Sequence, residues 1–324
     1  MKESAPNHFD GRRYFNCYPK KPDERKAKQI IRWFTSRKPA KWPQHVPVQV
    51  HPKPDAVTKD GEVQVIYINH ATVLIMTKQG NILTDPIWSE RCSPLKRIGP
   101  KRVAQPGLKF EDLPPIDLVL VTHNHYDHLD LPTLKRLEKE HSPRFVTGLG
   151  NRKLLINSGM QNVQELDWWE ELHIGALGKL SYVPSQHFSS RRVGDLCRTL
   201  WGGFVLQIDK LAPIYFAGDT GYGTFFNPIF KKFGPIGLAM LPIGAYEPRW
   251  FMKPVHMNPE EAVKGLLELQ ARHAIGIHFG TFQLSDEAID DPVKDLKKAL
   301  VEHKVDPKQF EALHNGESRT WLLK

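Results

Sequence analysis

Four side chains that can bind metal ions lie close together in the run Thr-His-Asn-His-Tyr-Asp-His-Leu-Asp at residues 122–130. They are His123, His125, Asp127 and His128. The apolar segment before this run predicts a buried strand, so the histidines begin where a strand ends. Because alternate side chains of an extended chain share a face, His123 and His125 can bind one ion. Asp127 and His128 fall in the following turn, where a second ion could bind. The spacing predicts a metallohydrolase, and a solvated, histidine-rich loop is the alternative interpretation.

Three further candidate ligands also follow segments of strand-like sequence, and they are His187, Asp219 and His278. Each has a Gly or Pro nearby that would let the backbone turn sharply. A single histidine after a strand is more often a structural residue. One loop, however, cannot supply all the ligands that two zinc ions require. The four strand ends together therefore predict a shared metal centre.

The sequence resembles the metallo-β-lactamase fold superfamily over about residues 63–320. Within that superfamily it is similar to the N-acyl-phosphatidylethanolamine-hydrolysing phospholipase D group. The blocks that carry the similarity are His70-Ala71-Thr72-Val73, Leu83-Thr84-Asp85-Pro86 and residues 99–102, 113–117, 123–130, 165–171, 216–222, 242–252, 259–263 and 314–319. The block Pro-Ile-Gly-Ala-Tyr-Glu-Pro-Arg-Trp-Phe-Met at 242–252 is the most specific, and it favours this group over β-lactamases and nucleases.

The resemblance implies an α/β fold, an αββα metallo-β-lactamase sandwich. We expect a catalytic domain at 61–324 that follows a basic, proline-rich N-terminal extension at 1–60. Local sequence predicts strands at 63–68, 72–76 and 81–84 and helices at 131–141, 151–158 and 258–272. Asn258, with Pro259 and Glu261 after it, gives the last of these helices a favourable start.

The resemblance also implies two zinc ions per chain. One ion would be held by His123, His125 and His187, and the other by Asp127, His128 and His278. Asp219 would bridge the two ions together with a hydroxide, which makes it an expected catalytic residue. Four positive charges on two ions, less three on two carboxylates and one hydroxide, leave one positive charge to attract a phosphodiester.

Other roles are expected from the resemblance. His256 is a candidate phosphate contact or proton donor, and a structural histidine is the alternative. Tyr246 and Arg249 are candidate substrate contacts in a loop beside the site. Lys96 and Arg97 are further candidates, because they replace a Gln-Tyr pair that lies near the lipid in the mammalian enzymes.

Two more residues are expected to act from outside the ligand set. Asp85 and His70 should orient ligand imidazoles by hydrogen bonds, without binding a metal ion themselves.

Charge is concentrated in the extension, where residues 1–60 contain 14 Lys or Arg against 6 Asp or Glu, out of a net charge of +9 for the chain. Basic residues alternate there with Trp33, Phe34 and Trp42, a pattern that suits an anionic membrane surface. An arm wrapped over the catalytic domain explains the pattern equally well. Nucleic-acid binding is the weakest interpretation, because the rest of the chain is close to neutral.

The chain has no apolar run long enough to span a bilayer and no signal-peptide pattern near Met1, so we expect a cytoplasmic protein, with a peripheral contact at the inner membrane face left open. Its 3 cysteines are expected to be reduced thiols. The resemblance implies a homodimer, for which the residues give no independent signal.

The function expected from these observations is zinc-dependent hydrolysis of N-acyl-phosphatidylethanolamine, a phospholipid, to phosphatidic acid and N-acylethanolamine. A metal-bridging hydroxide would attack the phosphorus atom. A lactonase or cyclic-phosphodiester hydrolase acting on a sugar phosphate is the alternative within enzymes. A membrane-surface or RNA-binding scaffold is the alternative outside them, and the full ligand set argues against it.

Overall fold

Two seven-stranded sheets form the centre of the computed structural model, which describes residues 8–18, 27–95 and 97–324. The first sheet contains β1 (Glu62–Asn69), β2 (Thr72–Thr77), β3 (Gly80–Thr84), β4 (Leu118–Val121), β5 (Arg144–Gly148), β6 (Val163–Leu166) and β14 (Ser318–Leu322). The second contains β7 (Glu171–His173), β8 (Lys179–Val183), β9 (Gly203–Gln207), β10 (Ile214–Phe216), β11 (Leu238–Pro242), β12 (His273–Ile277) and β13 (Phe310–Glu311). Their spatial orders are β14-β1-β2-β3-β4-β5-β6 and β13-β12-β11-β10-β9-β8-β7.

Helices accompany both sheets. They are α1 (Ala27–Ser36), α2 (Leu131–His141), α3 (Arg152–Asn157), α4 (Phe226–Phe233), α5 (Arg249–Met252), α6 (Pro259–Glu268) and α7 (Asp291–Glu302). None of the helices within the described ranges is long and apolar enough to cross a bilayer.

Strand β4 shows how the layers pack, because alternate side chains of a strand face opposite sides of the sheet. Leu118 and Leu120 belong to the apolar core between the two sheets. Val119 and Val121 belong to a second core, where the outer face of the first sheet meets α2 and α3. Helices α4, α6 and α7 pack on the second sheet. The predicted αββα sandwich is confirmed.

Helix α6 starts as predicted but ends earlier. The Asn258 side chain accepts a hydrogen bond from the Glu261 amide, and the Glu261 side chain caps the Asn258 amide in return. The helix ends at Glu268 instead of near Arg272, because Gln270 takes a left-handed conformation (φ 46°) that turns the chain toward β12. Helix α2 has the predicted bounds.

The described part of the N-terminal extension packs along the rest of the molecule. The Arg37 guanidinium forms an ion pair with Asp286 at 2.9 Å, and the Trp42 indole donates a hydrogen bond to the Glu287 carbonyl at 2.9 Å. Val46 forms a parallel bridge with Ala104. These contacts are those expected of a wrapped arm, while the boundary at residues 60 and 61 stays a prediction.

Candidate metal centre

The predicted ligands follow four strands that end at one edge of the sandwich. Strand β4 leads into His123, β8 into His187, β10 into Asp219 and β12 into His278. Strand β8 is antiparallel to β9 and β9 is antiparallel to β10, so β8 and β10 point the same way, and β10, β11 and β12 are parallel. Their carboxyl ends therefore meet at a common edge, which faces the end of β4 in the other sheet.

A first group of four side chains brings ring nitrogens and a carboxylate oxygen to one point. The group consists of His123, His125, His187 and Asp219, whose candidate ligand atoms all lie within 4.8 Å of one another. His125 Nδ1 lies 2.8 Å from His123 Nε2 and 3.2 Å from His187 Nε2. Such close ring nitrogens must share a proton or face a common cation.

A second group adjoins the first. It consists of His70, Asp127, His128 and His278. His128 Nε2 and His278 Nε2 each lie 3.2 Å from Asp219 Oδ2, so Asp219 stands between the two groups, in the place predicted for the bridging ligand. The structure thus brings all seven predicted ligands together, while their assignment to particular ions stays a prediction.

His70 takes a different position from the one expected. Its Nε2 atom lies 2.9 Å from Asp127 Oδ2, so it supports a carboxylate and not a ligand imidazole. It also offers a nitrogen to the second group. The cause is local, because the turn after β1 places His70 in a left-handed conformation (φ 47°) that directs the side chain toward the metal loop, residues 122–130.

The protonation states reflect the buried negative charge. Burial and neighbouring imidazoles hold the pKa of His123 well below its usual range. Burial would also lower the pKa of His128, but the carboxylates of Asp219 and Asp127 outweigh it and hold that pKa well above its usual range. Against the same effect of burial, those carboxylates raise the pKa of His278 to about 9. Protonated imidazoles thus balance the carboxylates, and divalent cations bound there would replace these protons.

The donor set fits metal ions. Imidazole nitrogens and carboxylate oxygens are ligands that zinc and several other transition metals prefer. Asp219 Oδ1 is buried and has no hydrogen-bond partner among the described residues, so a buried carboxylate oxygen is left without a donor. The residues therefore form a His/Asp cluster that could bind metal ions.

Asp85 contacts one of the predicted ligands. The carboxylate is fully buried, accepts hydrogen bonds from the Thr122 amide at 2.8 Å and hydroxyl at 2.7 Å, and lies 2.7 Å from His128 Nδ1. An Nδ1–H bond to Asp85 fixes the ring so that Nε2 faces the centre.

Arg191 holds the metal loop, and sequence analysis missed it. Its Nη1 donates hydrogen bonds to the carbonyls of Asn124 at 3.0 Å and Leu129 at 2.8 Å. The guanidinium lies 4.0 Å from the centre of the Tyr126 ring, whose hydroxyl donates to the Arg191 carbonyl. These contacts join residues more than 60 positions apart, and an arginine in a polar segment gives no signal of them.

His256 joins the cluster. Its ring centre lies 5.1 Å from that of His187 and 5.3 Å from that of His278, and its Nδ1 is 4.0 Å from Asp219 Oδ2. Burial is the main cause that lowers the pKa of His256 to about 3, so the ring is neutral at pH 7. A neutral imidazole can donate a hydrogen bond but holds no extra proton to release.

The other predicted substrate contacts have their polar groups engaged elsewhere. The buried Tyr246 hydroxyl donates to Asp295 at 2.5 Å. Arg249 pairs with Glu261 at 2.6 Å and donates to the His256 carbonyl at 2.9 Å, so its visible role is to hold the His256 segment.

The two remaining candidate substrate contacts are Lys96 and Arg97. Arg97 is exposed, and Lys96 lies outside the described residues. A substrate contact by any of these four residues stays a prediction.

Comparison with known proteins identifies relatives. The family described as "Beta-lactamase superfamily domain" matches residues 80–279. "N-acyl-phosphatidylethanolamine-hydrolyzing phospholipase D 1" of Caenorhabditis elegans is 38% identical over 252 residues, which are 75% of this chain and 70% of that protein. The mitochondrial N-acyl-phosphatidylethanolamine-hydrolyzing phospholipase D of Saccharomyces cerevisiae is 38% identical over 221 residues, 67% of this chain but only 47% of that protein.

Solved structures share the fold at lower identity. An isothiocyanate hydrolase from Delia radicum gut bacteria has a TM-score of 0.63 at 22% identity, covering 80% of this chain and 98% of that one. Igni18, a metallo hydrolase from Ignicoccus hospitalis, has a TM-score of 0.61 at 21% identity, covering 81% and 100%.

The Asp85 contact can be tested by Asp85→Asn. The amide would place an N–H donor opposite either His128 Nδ1–H or the Thr122 main-chain N–H, so we expect zinc affinity to fall about 10- to 100-fold. Titration of the metal-free protein against a coloured chelator measures this affinity. Asp209→Asn makes the same chemical change at an exposed site and should leave affinity unchanged. Wild-type affinity in Asp85→Asn would show that this bond does not position the ring.

Proposed function

This chain belongs to the β-lactamase superfamily and is a metal-dependent hydrolase of that family, and from this premise we propose that it hydrolyses N-acyl-phosphatidylethanolamine. The proposed products are phosphatidic acid and an N-acylethanolamine. The observation that carries the proposal is Asp219, whose carboxylate stands between two groups of metal-binding side chains. That arrangement suits displacement at phosphorus, where attacking and leaving oxygens need stabilisation together.

We propose zinc as the metal and two ions as the number. His123, His125 and His187 would hold one ion, Asp127, His128 and His278 the other, and Asp219 both. When bound, the ions would lower the pKa of a water molecule and stabilise charge on the phosphodiester oxygens.

The protein's own residues position the reacting groups. The Val255 carbonyl lies 2.9 Å from His187 Nδ1, a contact that fixes the Nδ1–H tautomer and leaves Nε2 directed at the centre. His256, neutral and beside both groups, would donate an N–H hydrogen bond to a phosphate oxygen. The Arg249 guanidinium holds His256 in place by donating a hydrogen bond to the His256 main-chain carbonyl. We therefore assign His256 a role in substrate binding in preference to a role in proton transfer.

The substrate and the bridging residue are tested together by lipid-product analysis. Purified, zinc-loaded protein should release phosphatidic acid and N-acylethanolamine from N-acyl-phosphatidylethanolamine vesicles. Asp219→Asn should lower the rate at least 100-fold, because it removes a negative charge shared by both groups, whereas the exposed Asp209→Asn should not.

Two results would contradict different parts of the proposal. Hydrolysis of a lactone or cyclic phosphodiester without any hydrolysis of the phospholipid would reject the substrate. Full activity in Asp219→Asn would reject the shared centre.

The role of His256 is tested by two substitutions. His256→Phe keeps an aromatic ring but removes the N–H donor, and we expect kcat to fall about 100-fold, the effect of losing one donor at developing charge. His256→Gln keeps a donor and should retain an intermediate kcat. Zinc content and melting temperature should stay close to those of the wild type in both. Loss of stability in step with rate would instead mark His256 as structural.

We further propose a peripheral contact with anionic membrane through exposed lysines of the N-terminal extension. Lys28, Lys38 and Lys41 are exposed. Arg37 is engaged by Asp286, and Arg32 lies over the Trp250 ring at 4.6 Å, so both also serve internal contacts. We therefore assign the proposed surface contact to these three lysines.

Replacing Lys28, Lys38 and Lys41 together by Gln should weaken binding to anionic vesicles at least tenfold, since each lysine near the surface contributes about 1 kcal/mol. Vesicle sedimentation measures the binding, and added salt should weaken it for the wild type. Turnover of a soluble phosphodiester should not change. Three exposed lysines elsewhere, Lys297, Lys304 and Lys308, give the matched control. Equal losses in the two triple variants would reject a role specific to the extension.

A further inference from the structure

A segment far from the matched family region reaches the metal centre. Residues 8–18 precede residues 80–279 by a long stretch of chain, yet Asn16 is buried, with 6% of its surface exposed, beside His187. The Asn16 amide nitrogen donates a hydrogen bond to the His187 carbonyl at 2.9 Å. The Asn16 amide oxygen accepts one from the His187 main-chain N–H at 3.2 Å. One side chain thus satisfies both main-chain polar groups of a proposed ligand.

The segment is fixed on the N-terminal side of Asn16. His8 Nε2 lies 2.7 Å from an Asp167 oxygen, and the His8 ring stacks on Trp168 with ring centres 4.5 Å apart. The Tyr14 amide donates to the Cys197 carbonyl at 2.8 Å. These contacts hold the main chain around Asn16 against the second sheet and its loops.

The Asn16 amide is itself oriented. The Trp201 indole N–H donates to the Asn16 oxygen at 3.1 Å and to the Ser185 carbonyl at 3.2 Å. Because an indole N–H can only donate, it fixes which end of the amide is the oxygen. The amide nitrogen is then left pointing at the His187 carbonyl.

His187 lies beyond the end of β8 at Val183, one residue after the bridge between Gln186 and Gly221, and its own main-chain N–H and carbonyl bond to Asn16. The direction of the Cα–Cβ bond follows from the main chain, and it determines where the ring nitrogen points. His187 Nε2 must lie near His125 Nδ1, now 3.2 Å away, for the two rings to bind one ion. A shift of about 0.5 Å is enough to spoil such a site.

We propose that Asn16 is a positioning residue of the metal centre, which holds the His187 main chain so that the ring completes the group with His123 and His125. This inference rests on the proposed function, since Asn16 acts through His187 as a metal ligand. Asparagine suits the place because it donates and accepts at once, and Asp, Leu or Ala cannot do both.

The experiment measures zinc binding and not turnover. Metal-free Asn16→Ala is titrated with zinc against a coloured chelator, and its melting temperature is measured without metal. We expect one of two zinc equivalents to bind about tenfold or more weakly, with the other unchanged, as for loss of an outer support of a ligand. Asn16→Ser keeps one hydroxyl and should give a smaller loss of the same equivalent, and it carries the test if Asn16→Ala does not fold.

Asn151→Ala is the matched control. Asn151 is also buried and also donates to a main-chain carbonyl, that of Gly148 at 3.0 Å, but in the turn between β5 and α3. Asn151→Ala should lower the melting temperature and leave both zinc affinities within twofold of the wild type.

The outcomes separate the inference from its premise. Folded Asn16 variants with both affinities within twofold of the wild type would overturn it, as would equal weakening of both equivalents. A wild-type protein that binds no zinc would reject the proposed zinc centre and the Asn16 role with it. A wild type that binds two equivalents but leaves the phospholipid intact would reject only the substrate, and the expected selective loss in Asn16→Ala would still support the inference.

Discussion

Buried negative charge is the constraint on which the rest of this structure depends. The carboxylates of Asp127 and Asp219 lie at the edge of the sandwich where the four strands end, and 9% and 3% of the surface of these residues is exposed. An isolated carboxylate in such a place costs several kcal/mol, so the fold must supply positive charge or proton donors within a few ångströms. Imidazoles supply them, and the carboxylates raise the pKa of His128 and His278 against the effect of burial. The same arrangement, which is unfavourable without positive charge, could bind metal ions.

Strand ends are what allow so many polar groups to converge. Strands β4, β8, β10 and β12 are mostly buried, and His123, His187, Asp219 and His278 follow within four residues of their ends. His70, Asp85 and His278 have left-handed main-chain conformations, with φ of 47°, 32° and 64°. Such conformations are unfavourable for residues with a Cβ atom and persist where surrounding contacts impose them. Here the His278 amide bonds to the His70 carbonyl at 2.7 Å, and the Asp85 amide to the Leu120 carbonyl at 2.8 Å, which ties these turns to one another and to β4.

The sequence predicts features that are local in the chain. Helix α6 begins with a capping box whose residues are three positions apart, and the strand before His123 is an unbroken apolar run. Both features can therefore be predicted from the sequence. The roles of Tyr246 and Arg249 were not, because a specific block identifies relatives without showing which way its side chains point. Tyr246 meets Asp295, and Arg249 meets Glu261, through packing that sequence alone does not reveal. Arg191 and Asn16 were missed for the same reason, since their hydrogen bonds cross long stretches of chain.

The extension and the centre are linked by contacts at two places. Asn16 meets His187 on one side. On the other, Trp42 donates to the Glu287 carbonyl, while the buried Glu287 side chain accepts hydrogen bonds from the Ala245 amide at 2.7 Å and the Glu247 amide at 3.0 Å. These bonds fix the loop that leads through α5 to His256.

Basic charge in the extension is divided between two kinds of side chain. Some of it is spent on internal contacts, as in the Arg37 pair with Asp286, and some stays exposed, as at Lys38 and Lys41. A wrapped arm and the proposed membrane contact are compatible descriptions of one segment, because different side chains would carry the two roles.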